Sequence, residues 1–208
     1  MTDFFALLDE PRRPWLDPES LKRKFLTLSA RSHPDRVHGR GEAERQSAQD
    51  AYAGLNAAYQ CLRGPRTRLR HLLELERGGP PAEIQAIPSA LADLFLEIGP
   101  PSREADRLLI EKRALDSPLL KAAWFERSLH SRETLQRLRE EVDRRIHDLT
   151  EELRKIDRDW APGAAATPSG TAQLGRLEEL YRLFGYFERW SGQLRERIGR
   201  LSMESSLE

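Results

Sequence analysis

Apolar side chains recur at intervals of three and four residues along most of this chain, and prolines divide the pattern into segments. One segment carries Leu21, Phe25 and Leu28, and another carries Ala48, Tyr52, Leu55, Tyr59 and Leu62. Intervals of three and four place side chains on one face of an α-helix, whereas a half-buried strand alternates every second residue. No convincing run of such alternation is present. We therefore predict an all-α fold.

Two helices are predicted in the first third of the chain. Asp17 and Pro18 suit an N-cap and a first helical turn, and the helix that follows should end near Ser32, because a residue before proline disfavours helical geometry. A second helix is expected from about Glu42 to Arg63. Two helices of similar length joined by a short loop should pack as an antiparallel hairpin. The apolar residues that can lie across its base are Phe4, Phe5, Leu7 and Leu8.

The stretch "GGPPAEIQAIP" at residues 78–88 predicts a domain boundary, because its glycines and prolines cannot continue a helix. We expect one domain at residues 1–77, a linker at 78–88 and a helical bundle at 89–208. In the bundle, shorter helices should precede a long one with a narrow apolar seam from Leu135 to Ile156, and Gly99-Pro100-Pro101 should interrupt any continuous helix. A final helix over 172–201 should pair with the long one in antiparallel fashion.

Composition excludes several functional classes. The chain has 34 basic and 34 acidic residues, so no net field favours nucleic acid or an anionic membrane. The single cysteine excludes a disulfide framework and indicates a reducing, cytoplasmic setting. No apolar stretch approaches the roughly 20 residues of a membrane helix, and the N-terminus lacks the charge order of a secretory signal. No metal motif, phosphate loop or nucleophile elbow is evident, so we expect a soluble non-enzyme without cofactor.

Local charge is concentrated between Ser20 and Gly41. This stretch contains one acid, Asp35, and the following basic residues: Lys22, Arg23, Lys24, Arg31, Arg36 and Arg40. Such a strip favours an acidic protein partner, because opposite potentials speed encounter and orient the partner. The alternative interpretation is a solvated helix face.

The strip leads into "SHPDR", and "GLNAAYQCLRGPRTR" follows at the second helix and its exit. This combination resembles the J-domain of co-chaperones, whose His-Pro-Asp loop lies between a basic helix and such a third helix. The opening "DFFALLDEP", the extended string "LNAAYQCLRGPRTRLRHLLEL" and the total length resemble the HscB type, which serves iron–sulfur cluster assembly. The likeness is specific over residues 3–75 and architectural after Pro88. Ser32 departs from it, because an aromatic residue usually precedes the tripeptide.

The resemblance implies an N-terminal J-domain, a C-terminal client-binding bundle, and a function that activates the ATPase of a DnaK/HscA-type chaperone while presenting an iron–sulfur scaffold. It implies no active site of the chain's own and no zinc. In this interpretation Pro34 forms a rigid corner, Asp35 accepts charge-assisted hydrogen bonds and His33 offers a donor. The residues expected to bind the chaperone are His33, Pro34, Asp35, Lys22, Arg23, Lys24, Arg31 and Arg36.

Client residues are not carried over, because the family's acid-rich client helix is poorly matched here. Leu91, Leu94 and Phe95 are candidate contacts, although burial in the core explains them as well. Three of the four tryptophans, Trp124, Trp160 and Trp190, are expected to fill the bundle core. Two alternatives stay open: a J-domain protein with a different client, motivated by the Gly99-Pro100-Pro101 segment, and a structural adaptor with a degenerate J-domain, motivated by Ser32.

Overall fold

The computed structural model describes residues 2–32, 41–81, 88, 91–161, 163 and 168–205. All regular elements within these ranges are helical, which confirms the predicted all-α class. The α-helices are α1 (Phe4–Leu7), α2 (Pro18–Arg31), α3 (Glu42–Arg63), α4 (Pro65–Arg77), α5 (Ala92–Glu111), α6 (Pro118–Arg158) and α7 (Pro168–Ser205). A short 3-10 helix, Lys112–Ala114, follows α5.

The chain divides into two compact units. The first unit contains residues 1–82 and 149–184, and the second contains residues 83–148 and 185–208. Each unit therefore combines segments that are distant in sequence. The domain boundaries expected at residues 77 and 89 stay a prediction, because compactness groups segments by contact and does not show which of them folds alone.

A helical hairpin formed by α2 and α3 organises the first unit. Asp17 caps α2 by accepting a hydrogen bond from the amide of Ser20 at 2.8 Å, as the sequence predicts. The Phe25 ring stacks on Tyr59 of α3 with 4.3 Å between centroids, while Leu21 is buried. α1 packs on α3 as well. The predicted base of the hairpin is confirmed for Phe5 and Leu8, which are fully buried, whereas Leu7 is 38% exposed.

The ends of the two longest helices complete the first unit. Residues 149–158 of α6 and 168–184 of α7 pair in antiparallel fashion, with a bidentate ion pair between Glu152 and Arg176 at 2.6 and 2.8 Å. α4 packs beside them, because Arg77 bonds to Glu178 and Arg66 lies 5.4 Å from the centre of the Tyr181 ring.

The second unit is a three-helix arrangement of α5, the first part of α6 and the last part of α7. The indole Nε1 of Trp124 donates to the carbonyl oxygen of Leu108 at 2.8 Å, which ties α6 to α5. Asp106 pairs with Arg197 of α7 at 2.9 Å. Ser191 donates to Asp143 at 3.0 Å, so α6 and α7 run antiparallel here too.

Two expectations for the second unit are wrong. α5 continues for 20 residues through Pro100 and Pro101, although both lack the amide that a helix interior uses. α6 spans 41 residues and merges a predicted short helix with the long one. Helix packing outweighs the local cost of the prolines.

The tryptophans divide between core and surface. Trp124 and Trp190 are buried in the second unit, as expected. Trp160 is half-buried in the first unit, where its Nε1 donates to the carbonyl oxygen of Arg12 at 2.8 Å, so the expectation of a core position is wrong for this residue.

Candidate chaperone interface and client surface

The solvent face of α2 carries the basic residues that the sequence selects. Lys22, Arg23 and Arg31 are exposed. They lie away from the buried face because Leu21, Phe25 and Leu28 recur with the helical repeat and turn toward α3. The arrangement makes α2 an exposed positive surface on a chain whose formal net charge is zero.

Lys24 differs from its neighbours because its charge is already neutralised within the first unit. Its ammonium donates to the carbonyl oxygen of Asp9 at 2.7 Å and lies 3.1 Å from the Glu10 carboxylate. These contacts connect the loop at Asp9 and Glu10 to α2. Lys24 therefore has less charge to offer a partner than Lys22 or Arg23.

Leu26 adds an apolar group to the basic face, which the sequence interpretation did not select. Its side chain is 55% exposed. Leu26 follows Lys22 by four residues and Arg23 by three, so it lies next to both on the helix surface. The sequence did contain an indication of its exposure, because Leu26 does not lie on the helix face formed by Leu21, Phe25 and Leu28.

Four predicted chaperone-binding residues lie outside the described residues: His33, Pro34, Asp35 and Arg36. The structure describes α2 up to Arg31 and Ser32, directly before them, and Gly41 directly before α3. Their role stays a prediction from the sequence.

A buried carboxylate holds the loop that leads into α2. Asp157 of α6 accepts a hydrogen bond from Nε of Arg13 at 2.9 Å and from the amide of Trp15 at 3.1 Å. Arg154 stacks over the Trp15 ring at 4.9 Å. These contacts fix the start of α2 by residues more than a hundred positions away.

Arg68 of α4 bonds to the same loop. Its guanidinium is buried and donates to the carbonyl oxygens of Pro14 and Leu62, both at 2.7 Å. Burial lowers the pKa of Arg68 to about 10, and the Asp157 charge opposes that shift. The side chain remains charged at neutral pH, so the Asp157 carboxylate provides its electrostatic compensation.

Residues of α3 near its C-terminal end make structural contacts. Asn56 donates to the carbonyl oxygen of Tyr52 at 2.9 Å, and Leu62 is fully buried. Burial raises the pKa of the Cys61 thiol to about 11. A thiol in that state is a poor nucleophile at neutral pH, which agrees with a packing role.

The start of α5 presents an apolar surface in the second unit. Leu91 is buried, whereas Phe95 is 46% and Leu96 is 67% exposed. The Phe95 ring lies 6.4 Å from that of Trp190 on α7. The sequence alternatives thus divide: Leu91 belongs to the core, and Phe95 faces solvent beside an aromatic neighbour.

Within the described ranges, no helix is long and apolar enough to cross a membrane. The same part of the chain contains no group of three His, Cys, Asp or Glu side chains arranged to hold a metal ion.

Comparison with known proteins gives the class and then the particular type. The sequence is 36% identical over 114 residues to a co-chaperone protein HscB homolog from Cupriavidus taiwanensis, which covers 55% of this chain and 63% of that protein. It is 42% identical over 72 residues to the homolog from Bordetella pertussis, covering 35% of this chain and 42% of the relative. The chain thus matches less than two thirds of these relatives' length. No family model matches it.

Two solved structures share the fold. HscB from Vibrio cholerae superposes with a TM-score of 0.51 at 22% identity, covering 93% of this chain and 99% of that one. Human HscB superposes with a TM-score of 0.57 at 19% identity, covering 96% and 81%. The two relatives and the human structure are named as co-chaperones, and all four proteins carry the name HscB. The predicted resemblance to HscB-type co-chaperones is therefore confirmed.

Proposed function

We propose that this chain is a J-type co-chaperone that activates the ATPase of a DnaK/HscA-type chaperone and presents an iron–sulfur scaffold protein to it. The exposed basic face of α2, leading into a His-Pro-Asp sequence within a helical hairpin, carries this proposal. The similarity to HscB proteins supports it. The chain contributes no catalytic group of its own in this function.

The α2 face suits an acidic partner surface for two physical reasons. Lys22, Arg23 and Arg31 are exposed and supply a positive potential that speeds encounter. Leu26 gives the same face an apolar anchor, which slows dissociation once water is excluded. In the proposed complex Pro34 limits the entropy lost on binding, and Asp35 accepts hydrogen bonds from a partner arginine.

The scaffold client is proposed to dock on the second unit at Phe95 and Leu96. Large exposed apolar side chains near an aromatic ring are typical of binding surfaces. The aromatic neighbour Trp190 is buried, and its ring lies 6.4 Å from that of Phe95. The residues at 89–208 form the client-binding part in this proposal.

Single-turnover ATP hydrolysis by the chaperone tests the first part. We expect the wild-type chain to raise the rate and His33→Gln to abolish the increase. Arg23→Glu should weaken stimulation several-fold in a salt-dependent manner, because it reverses a steering charge. Arg195→Glu, an exposed arginine of the second unit, is the matched control and should leave stimulation unchanged.

Equal stimulation by wild type and His33→Gln would contradict a role of the tripeptide. Binding of the chaperone without any stimulation by the wild-type chain would instead support the adaptor with a degenerate J-domain.

Binding of the purified scaffold tests the second part. Phe95→Ser with Leu96→Ser should weaken scaffold binding at least tenfold, because two apolar contacts are lost. Met203→Ser is the control, since this methionine of the same unit is also exposed. Chaperone stimulation measured without client should be unaffected. If the wild-type chain does not bind the scaffold but stimulates the chaperone, the alternative of a different client is favoured.

A further inference from the structure

A second surface in the second unit is not used by the proposed function. It is a groove of about 610 Å³ between α5 and α6, lined on the α5 side by Pro100 and Pro101 and on the α6 side by His130, Ser131 and Thr134. Its volume falls within the range of binding pockets in proteins. Ser131 is the buried member of this lining.

The exposed face of α6 continues this groove toward the start of the helix as an apolar ridge. Leu119 is 79% and Leu120 is 54% exposed, and Ala123 is exposed beside them. With 3.6 residues per turn, one line along the helix carries the following residues at intervals of three and four: Leu119, Ala123, Glu126 or Arg127, His130 and Thr134. One half of the line is an apolar ridge and the other half borders a groove.

These two halves are complementary to each other. If a second α6 lies antiparallel on this line, with a twofold axis between Glu126 and Arg127, Leu119 of one copy faces Thr134 of the other. Ala123 then faces His130. Thr134 donates its hydroxyl to the carbonyl oxygen of His130 at 3.0 Å, which satisfies its polar group and leaves the methyl for an apolar contact.

Charge at the centre of the line favours the same arrangement. The twofold axis places Glu126 of each copy opposite Arg127 of the other. Within the described residues Glu126 has no salt-bridge partner, and Arg127 bonds to Glu111. The guanidinium has five N–H donors, so it can accept a second carboxylate partner. A self-complementary surface of this kind is what a twofold interface requires.

We propose that the α6 face from Leu119 to Thr134 is a homodimer interface, in which the ridge of each copy enters the α5/α6 groove of the other. The face spans about 22 Å of helix, at 1.5 Å per residue. A contact of this length belongs among the smaller protein interfaces, so the dimer should be reversible, with a dissociation constant in the roughly micromolar range. The inference does not depend on the proposed chaperone activity.

Sedimentation equilibrium of the full chain across that concentration range tests the proposal. We expect a monomer–dimer equilibrium. Leu119→Ser should weaken it about a hundredfold, because the twofold interface loses two buried leucines, one from each copy. Met203→Ser is the matched control, since it removes an exposed apolar side chain of the same unit on α7, which contributes no residue to this groove.

A charge reversal gives a test specific to the twofold arrangement. Glu126→Arg alone and Arg127→Glu alone should each weaken the dimer, because they place like charges opposite each other. The double variant Glu126→Arg with Arg127→Glu restores opposite charges across the axis and should recover most of the association. A thermal melt checks that each variant is folded.

Three outcomes would overturn the proposal. One is a monomer at every concentration, and another is a dimer whose dissociation constant does not change with Leu119→Ser. The third is a double variant that associates no more tightly than the single variants. The last would mean that another surface associates or that the helices meet in a different register.

Discussion

His71 shows how one residue couples the N-terminal helix to pH. The imidazole is buried against the rings of Phe4 and Phe5, at 4.7 and 5.8 Å between centroids. Its Nε2 accepts a hydrogen bond from the amide of Phe4 at 3.0 Å, which requires the unprotonated atom. Burial lowers the pKa of His71, against the opposing charges of Asp3 and Glu74. The neutral ring is therefore the form that stabilises α1.

The chain should lose stability as the pH falls through the histidine range. The folded-state pKa of His71 is lowered, so the unfolded state binds the proton more readily and the contribution of His71 is full only above the unfolded pKa of about 6.5. Protonation forfeits the Phe4 hydrogen bond, worth about 1 kcal/mol. The free energy of unfolding in urea should differ less between pH 7 and pH 5 for His71→Gln than for the wild-type chain. The glutamine amide oxygen can accept the same hydrogen bond but does not titrate. An equal difference would contradict this role.

At the scale of elements, α5 shows a helix that continues against its local preference. Pro100 and Pro101 cannot donate to the carbonyl oxygens of Leu96 and Glu97, which a regular helix would bond. α5 nevertheless extends from Ala92 to Glu111, because Ile98, Ala105, Leu108 and Leu109 on one face are buried in the second unit. The cost of the prolines is offset by the burial of that face.

Replacing these prolines should therefore stabilise the protein. Pro100→Ala with Pro101→Ala restores two amide donors, and we expect a gain of about 1–3 kcal/mol after the added entropy of the unfolded chain is subtracted. Pro65→Ala is the matched control: Pro65 begins α4, where proline suits the first turn, so its loss should be neutral or slightly destabilising. Denaturant unfolding checks both. A loss of stability in the double variant would mean that the prolines fit α5 as it stands.

At the scale of the whole molecule, the first unit depends on contacts between segments that are far apart in sequence. Asp157 and Arg13 are 144 positions apart, and together with the Trp15 amide they close the unit around the loop before α2. Arg68 lies nearby and draws compensation from the same carboxylate. The proposed chaperone-binding helix thus begins at a loop held by the C-terminal end of α6.

Asp157→Asn should destabilise the protein by about 2 kcal/mol. The change removes a charge that bonds to Arg13 and leaves the buried Arg68 without its compensating anion. Glu151→Gln is the control, because the pair of Glu151 with Arg154 is a surface contact between neighbouring turns and should cost well under 1 kcal/mol. Denaturant unfolding compares the two. Equal, small losses would indicate that the Asp157 contacts contribute little.

The sequence by itself determined the elements and the motif. The bounds of α2 follow from the Asp17 cap, Pro18 and helical periodicity, and those of α3 follow from periodicity; these signals act within a few positions of each other. The same holds for Leu135, Val142 and Leu153 on α6, which are buried as the seam predicts. The resemblance to HscB-type co-chaperones likewise rests on adjacent residues of the chain.

Only the tertiary structure decided which residues meet. Nothing near Arg13 or Asp157 in the sequence indicates their pairing, because a buried ion pair depends on where two distant backbones are brought together. The continuity of α5 through Pro100 and Pro101 likewise depends on burial that exceeds a local cost. The ridge and groove of α6 arise in the same way, since the periodicity of a helix shows its faces but packing decides which of them stays exposed.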